Sequence, residues 1–134
     1  MTIVVDSSVV LALLNPGDDF HLPAAALYDS LDEDLATTPM AVAEMDYLVL
    51  QRAGRSGADL LWRDLDSGAI QVRWWATAMP ETLAIARARP ALGLADASLI
   101  ALAPVVRTTR IATFDRGHFA AARTADGEPF VLLP

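Results

Sequence analysis

Cysteine is absent from this chain, and so is lysine: all ten basic residues are arginine. Without cysteine there is no disulfide and no thiolate metal site, and two histidines are too few for a zinc cluster. Without lysine, every mechanism that needs a catalytic lysine is excluded; genomic base composition is reason enough for the missing residue type. No apolar run approaches the ~18 residues that span a bilayer. The opening "MTIVVDSS" has no basic stretch, and Asp6 cuts its apolar run short, so neither a membrane span nor a signal peptide is expected. A cytoplasmic protein with no membrane partner follows.

Apolar residues are what the chain has in quantity, at 54% of 134 residues with mean hydropathy +0.35. No repeat, low-complexity tract or linker divides it, so residues 1–134 are expected to form one domain. A chain of this size buries about two-thirds of its unfolded surface. That suits a compact α/β core with an apolar face left for oligomerisation. The formal charge of −7 argues, taken alone, against nucleic acid as a partner.

Strands and helices alternate along the chain. "TIVVD" (2–6) reads as a β-branched strand buried on both faces. "SSVVLALLN" follows as a helix with Ser7 or Ser8 available as N-cap, stopped by "NPGDD". "HLPAAALYDSLDED" is a second helix with an acidic end, and "LATT" a short strand. Pro39 suits the first turn of "PMAVAEMDYLVLQRAG", which ends at Gly54, and Ser56 and Gly68 bound a further helix. "AIQVRWW" alternates like a strand, "ETLAIARARP" and "LADASLIALAPVV" read as helices, and "RIATF" and "PFVLLP" as strands. The pattern predicts an α/β fold with a mostly parallel central sheet covered by helices on both faces.

Ligands in such sheets bind outside the carboxyl ends of the strands, where both Asp6 and Asp115 are predicted to lie. Asp96 opens a helix and shares a side with Leu99 and Ile100 at i+3 and i+4, which turns it toward the core; a purely local role at the positive helix end is the competing reading. Glu44 has Met40, Ala41, Tyr47 and Leu48 on its side of its helix, and Asp46 has Val42, Ala43, Val49 and Leu50. Periodicity does not choose between these two.

An unpaired buried carboxylate costs several kcal/mol or takes up a proton. Four acids meeting at one sheet edge without lysine need another counter-charge, and a divalent cation is the simplest. Carboxylates with water suit Mg²⁺ or Mn²⁺ and can hold one ion tightly and a second loosely. Such ions serve phosphodiester hydrolysis by generating a nucleophile from water and stabilising the leaving oxygen. They also remove the charge paradox, because they attract phosphate to an acidic protein.

"VVDSSVVLALL", "PMAVAEMDYLVLQR", "LGLADASLIALA" and "RIATFDRGHF" resemble, in order, the four blocks of PIN domains, in the short form of VapC-type toxins from bacterial toxin–antitoxin pairs. The likeness covers nearly the whole chain. It implies a PIN-like three-layer α/β/α fold, with Asp6 and Asp96 as the main metal ligands and Glu44 and Asp115 completing the quartet. The resemblance selects Glu44 over Asp46, and gives Ser7 and Thr113 supporting roles beside the acids. It further implies a metal-dependent endoribonuclease acting on a structured RNA (tRNA, rRNA or mRNA), restrained by a cognate antitoxin and forming a homodimer.

Other residues read more plainly. His118 is expected as a surface or capping histidine rather than a phosphate contact, His21 as a helix flank, and Trp74 and Trp75 as packing groups rather than base stackers. Arg87 and Arg89 are open to RNA or to solvent alone. A receiver-type phosphoryl-transfer protein lacks its lysine here, and a haloacid-type phosphatase would need an acid where Ser8 stands. A catalytically inactive PIN-like interaction module is the remaining alternative; four inward acids argue against it.

Overall fold

The computed structural model describes all 134 residues. Five strands and six helices follow one another as β1 (Thr2–Val5), α1 (Ser7–Leu14), α2 (His21–Ser30), β2 (Asp34–Thr37), α3 (Pro39–Ser67), β3 (Ile70–Val72), α4 (Ala78–Ala88), α5 (Gly93–Val105), β4 (Arg110–Ala112), α6 (Arg116–Phe119) and β5 (Val131–Leu133). The sheet order is β3-β2-β1-β4-β5, and every neighbouring pair is parallel. The mostly parallel sheet expected from the alternation of elements is thus parallel throughout.

β1 lies at the centre, and its residues Ile3, Val4 and Val5 are all buried. Successive strand residues point to opposite faces, so burial of all three means both faces of the sheet are covered. That is why the run is continuously apolar. Val9 and Val10 of α1, Met45, Val49 and Leu61 of α3, and Leu99 and Leu102 of α5 join the same core. No single helix is long and apolar enough to cross a membrane.

Several boundaries differ from the sequence reading, each for a local reason. α1 is capped by Asp6 rather than by Ser7 or Ser8: its carboxylate accepts the Ser7 amide, and both serines fall inside the helix. α3 starts at Pro39, as the pattern predicts, while Thr38, read in the sequence as the end of the strand "LATT", is its N-cap. The helix expected to end at Gly54 and the one expected after it are both present: they meet in a kink at Gly54, with φ +67 and ψ −165, a conformation that an L side chain rarely adopts, and are numbered together as α3. The last three strands are shorter than their apolar runs. The four-residue α6 was not foreseen, being too short to show a period.

The chain leaves β1 toward β2 on one side, and β4 lies on the other. This is the topological switch point, and the crevice opens at the C-terminal ends of β1 and β4.

Candidate active site

Asp6 immediately follows β1, and its amide continues the ladder by donating to the Ala112 carbonyl at 3.0 Å. Its carboxylate is 2% exposed. Oδ2 accepts from Ser8 Oγ at 2.8 Å and from Thr113 Oγ1 at 2.7 Å, which fills both of its lone pairs. Oδ1 accepts the Ser7 amide at 2.8 Å. The Ser7 hydroxyl stands 3.4 Å from Oδ1 but makes a much shorter contact with Glu44 Oε1. A hydroxyl has one proton to donate, and the Glu44 contact takes it. Oδ1 therefore keeps a free lone pair, while Oδ2 is locked.

The two hydroxyls that lock Oδ2 are themselves held by backbone donors. Ser8 Oγ accepts the Phe114 amide at 2.9 Å, and Thr113 Oγ1 accepts the Asp115 amide at 2.9 Å. Ser8 and Thr113 thus tie the start of α1 to the segment leaving β4. Ser7 ties Asp6 to α3 through Glu44. The structure brings Glu44 to this crevice and turns Asp46 away, where it accepts the Trp62 indole N–H at 2.6 Å.

Asp96 is 6% exposed in the first turn of α5. That turn is fixed by a relay in which the Ala41 amide donates to Thr38 Oγ1, Thr38 pairs with Ser98 Oγ at 2.6 Å, and Ser98 donates to the Ala95 carbonyl. Asp96 Oδ2 is 2.7 Å from His118 Nδ1. Burial, reinforced by the nearby charge of Asp6, raises the Asp96 carboxyl to about 6; His118 opposes the rise and Glu44 adds to it. Asp115 is likewise pushed above the ordinary carboxylate range, by partial burial first and Asp6 second, with His118 opposing. It stands at the N-cap position of α6, yet its side chain caps nothing. A turn-forming role does not account for it.

Asp6 therefore sits between acids whose fields overlap with its own. No three His, Cys, Asp or Glu side chains converge as a closed ion cage. Magnesium does not require one, since it is held by one or two carboxylates with water filling the other positions. The oxygen donors suit a hard divalent cation. Oδ1 of Asp6 and Oδ1 of Asp96 carry no tight hydrogen bond beyond the Ser7 amide, and the like charge of Asp6, which adds to burial in raising Asp96, is what a cation would relieve.

Three participants were not read as such in the sequence. Ser8 was seen only as a helix cap; its place two residues after Asp6, in the first turn, was the available signal. His118 was assigned to the surface, and its ring is 53% exposed, but one nitrogen reaches Asp96. Phe114 was seen only as strand core, whereas it lines an open cleft of about 540 Å³ together with Ser7, Glu44, Asp115, Phe20 and Arg52. Trp75 packs on the core as expected, and Trp74 is 42% exposed.

Comparison with known proteins agrees with this architecture. A family model described as PIN domain matches residues 3–124. The chain is 33% identical to Ribonuclease VapC26 of Mycobacterium tuberculosis (strain ATCC 25618 / H37Rv), over 98% of this chain and 99% of that protein. The crystal structure of Mycobacterium tuberculosis VapC20, described as a Sarcin-Ricin loop cleaving toxin, superimposes with a TM-score of 0.81 at 23% identity, covering 90% of this chain and 95% of that one. The structure of FitAcB from Neisseria gonorrhoeae gives 0.62 at 22% identity, over 100% and 97%. At those identities, the two structures speak for the fold.

Proposed function

The chain belongs to the PIN domain family, and we propose from its site that it is a metal-dependent endoribonuclease, the toxin of a toxin–antitoxin pair. The observation that carries this reading is Asp6, a buried carboxylate with one oxygen locked by Ser8 and Thr113 and the other keeping a free lone pair beside the Ser7 amide, set among Glu44, Asp96 and Asp115. Near-full-length likeness to a curated VapC ribonuclease supports it.

PIN-domain VapC nucleases are generally dependent on a divalent metal. In our reading Asp6 and Asp96 hold one Mg²⁺ or Mn²⁺ tightly, and Glu44 and Asp115 serve a weaker second ion or the waters around the first. A bound ion supplies an acidified water and neutralises charge at the phosphate. The chain's own part is to present carboxylates without rearrangement. Locking Asp6 through Oδ2 fixes the direction of Oδ1, and the Thr38–Ser98 relay fixes the turn that bears Asp96. Glu44 keeps Ser7 in place and can orient a water opposite Asp6. Asp115, with its proton affinity raised, is suited to accept a hydrogen bond from, or a proton of, an attacking water.

The remaining parts of the proposal are a structured RNA as substrate, a small antitoxin as inhibitor, a homodimer as the working form, and the cytoplasm as the compartment. Two tests apply. RNA 5′ ends sequenced after induction of the chain should show new, discrete cleavage sites that the Asp6→Asn chain does not make. A small DNA-binding protein encoded next to it should suppress them. Unchanged RNA ends on induction would remove the toxin reading.

A further inference from the structure

Phe20 and Phe114 stack at the wall of the acidic cleft, with ring centroids 4.5 Å apart and planes inclined by 14°. Phe114 packs on the core, whereas Phe20 is 49% exposed in the segment between α1 and α2. A large aromatic held half in water beside a catalytic crevice is poorly explained by packing. The pair is also fixed in place. Phe20's amide donates to Asp18 Oδ1 at 2.8 Å, and Gly17's to Asn15 Oδ1 at 3.2 Å. Phe114's amide donates to Ser8 Oγ, the same hydroxyl that donates to Asp6. The aromatic platform and the principal metal-binding carboxylate therefore share one anchoring side chain.

Across the cleft, α3 presents Glu44, Leu48 and Arg52 at steps of four residues. Arg52 is exposed, makes no ion pair within the chain, and is the one cation among cleft residues that include Asp18, Asp19, Glu44 and Asp115. A ligand made only of anionic groups would find little there. A ligand with one flat, apolar face and a phosphate close by fits both features.

We propose that Phe20, backed by Phe114, is a stacking platform for one unpaired RNA base beside the scissile phosphate, and that Arg52 holds a neighbouring phosphate. This rests on the ribonuclease reading above and deepens it: the substrate is cut where a base is free to leave its stack. Phe20 is a positioning residue for that base. Stacking tolerates any base, because each has a π-face, so the platform sets geometry more than sequence preference.

The test is binding of single-stranded RNAs of about eight nucleotides, a length within the range of such sites. Each RNA carries one abasic nucleotide at a successive position. Fluorescence anisotropy is read with Ca²⁺ replacing Mg²⁺, and the RNA is checked intact afterwards. In wild type, loss of the base at one position should weaken binding roughly 5- to 100-fold. Phe20→Leu should erase that penalty and Phe20→Trp should restore it, a rescue that a merely structural role does not give. Arg52→Gln should lower the salt slope of binding by ~0.7, the value of one single-strand phosphate. Phe20 is half exposed, so the leucine chain should melt with wild type; if it does not, Phe20→Met replaces it. No abasic penalty in wild type, or the same penalty in the leucine chain, overturns the platform. So does a leucine chain whose only change is weaker inhibition by an antitoxin, which would make Phe20 a protein contact. Cleavage in Mg²⁺ by wild type is scored separately. Cleavage without the penalty overturns the platform alone, and the penalty without cleavage overturns the hydrolase reading alone.

Discussion

Replacing Asp96 by Asn removes a charge that the protein holds at a cost and that, in the proposed site, would bind the metal. Its carboxyl lies at about 6 rather than at 3.8, chiefly because it is buried and secondarily because Asp6 is near. That gap is worth ~3 kcal/mol, and screening by the solvent in the cleft reduces it to about 1–3 kcal/mol. A folded pKa raised above the unfolded one favours the native state fully below the unfolded value, and the advantage is lost as pH rises through the folded one. Metal-free wild type should therefore lose stability relative to Asp96→Asn between about pH 4 and pH 6, and the difference should be constant above that. The two proteins should melt together near pH 3.5. At pH 7 without metal the variant should melt higher by roughly 4–10 °C, from ~2.1 cal/mol/K of unfolding entropy per residue. The His118 contact survives, since an amide oxygen can accept from Nδ1. Magnesium at about 100 times its Kd should raise wild-type stability by ~2.7 kcal/mol and leave the variant almost unmoved. Thermal melts at four pH values, with EDTA and with Mg²⁺, read all of this. A variant less stable than wild type at pH 7 in EDTA, or a difference independent of pH, would refute the reasoning.

Glu44→Gln should lower the cleavage rate by orders of magnitude, whereas Asp46→Asn, whose partner is Trp62, should leave it nearly unchanged; equal losses in a steady-state assay would mean that α3 has been read from the wrong side. Ser8→Ala takes a donor from Asp6 and an acceptor from the Phe114 amide. It should destabilise the chain by about 1–3 kcal/mol and weaken Mg²⁺ binding ~10- to 100-fold, both measurable by melts across a metal titration. Asp115→Asn should keep most of the tight-site affinity yet lose catalysis. It should be at least as stable as wild type without metal, because burial and Asp6 already disfavour its charge; a variant that cleaves normally would leave that carboxylate without a role.

Much of the architecture can be read from local patterns because its causes are local. Ile3, Val4 and Val5 form an unbroken apolar run because a central parallel strand is covered on both faces. Asp6 and Asp115 stand out because a carboxylate is an odd end to such a run. Pro39 announces the start of α3 by its fixed backbone geometry alone. What escaped has non-local causes. Glu44 and Asp46 are equivalent in helical period, and they are separated only when the bend at Gly54 brings Trp62 back to Asp46; resemblance to a family made the choice that periodicity could not. His118 reaches Asp96 from 22 residues away through α6, an element too short to have a period. Asp6 also accepts from Thr113, 107 residues on, a partner that no local pattern shows. Phe20 falls between the stop signal "NPGDD" and the helix that starts at His21, and only its partner Phe114 makes it a surface.

The most direct test of the account is RNA cleavage by the purified wild-type and Asp6→Asn chains, each in Mg²⁺ and in EDTA, with circular dichroism confirming that both are folded. Wild type should cleave in Mg²⁺ and stop in EDTA, and the folded Asp6→Asn chain should cleave in neither. Cleavage undiminished by EDTA, or retained by Asp6→Asn, would contradict it.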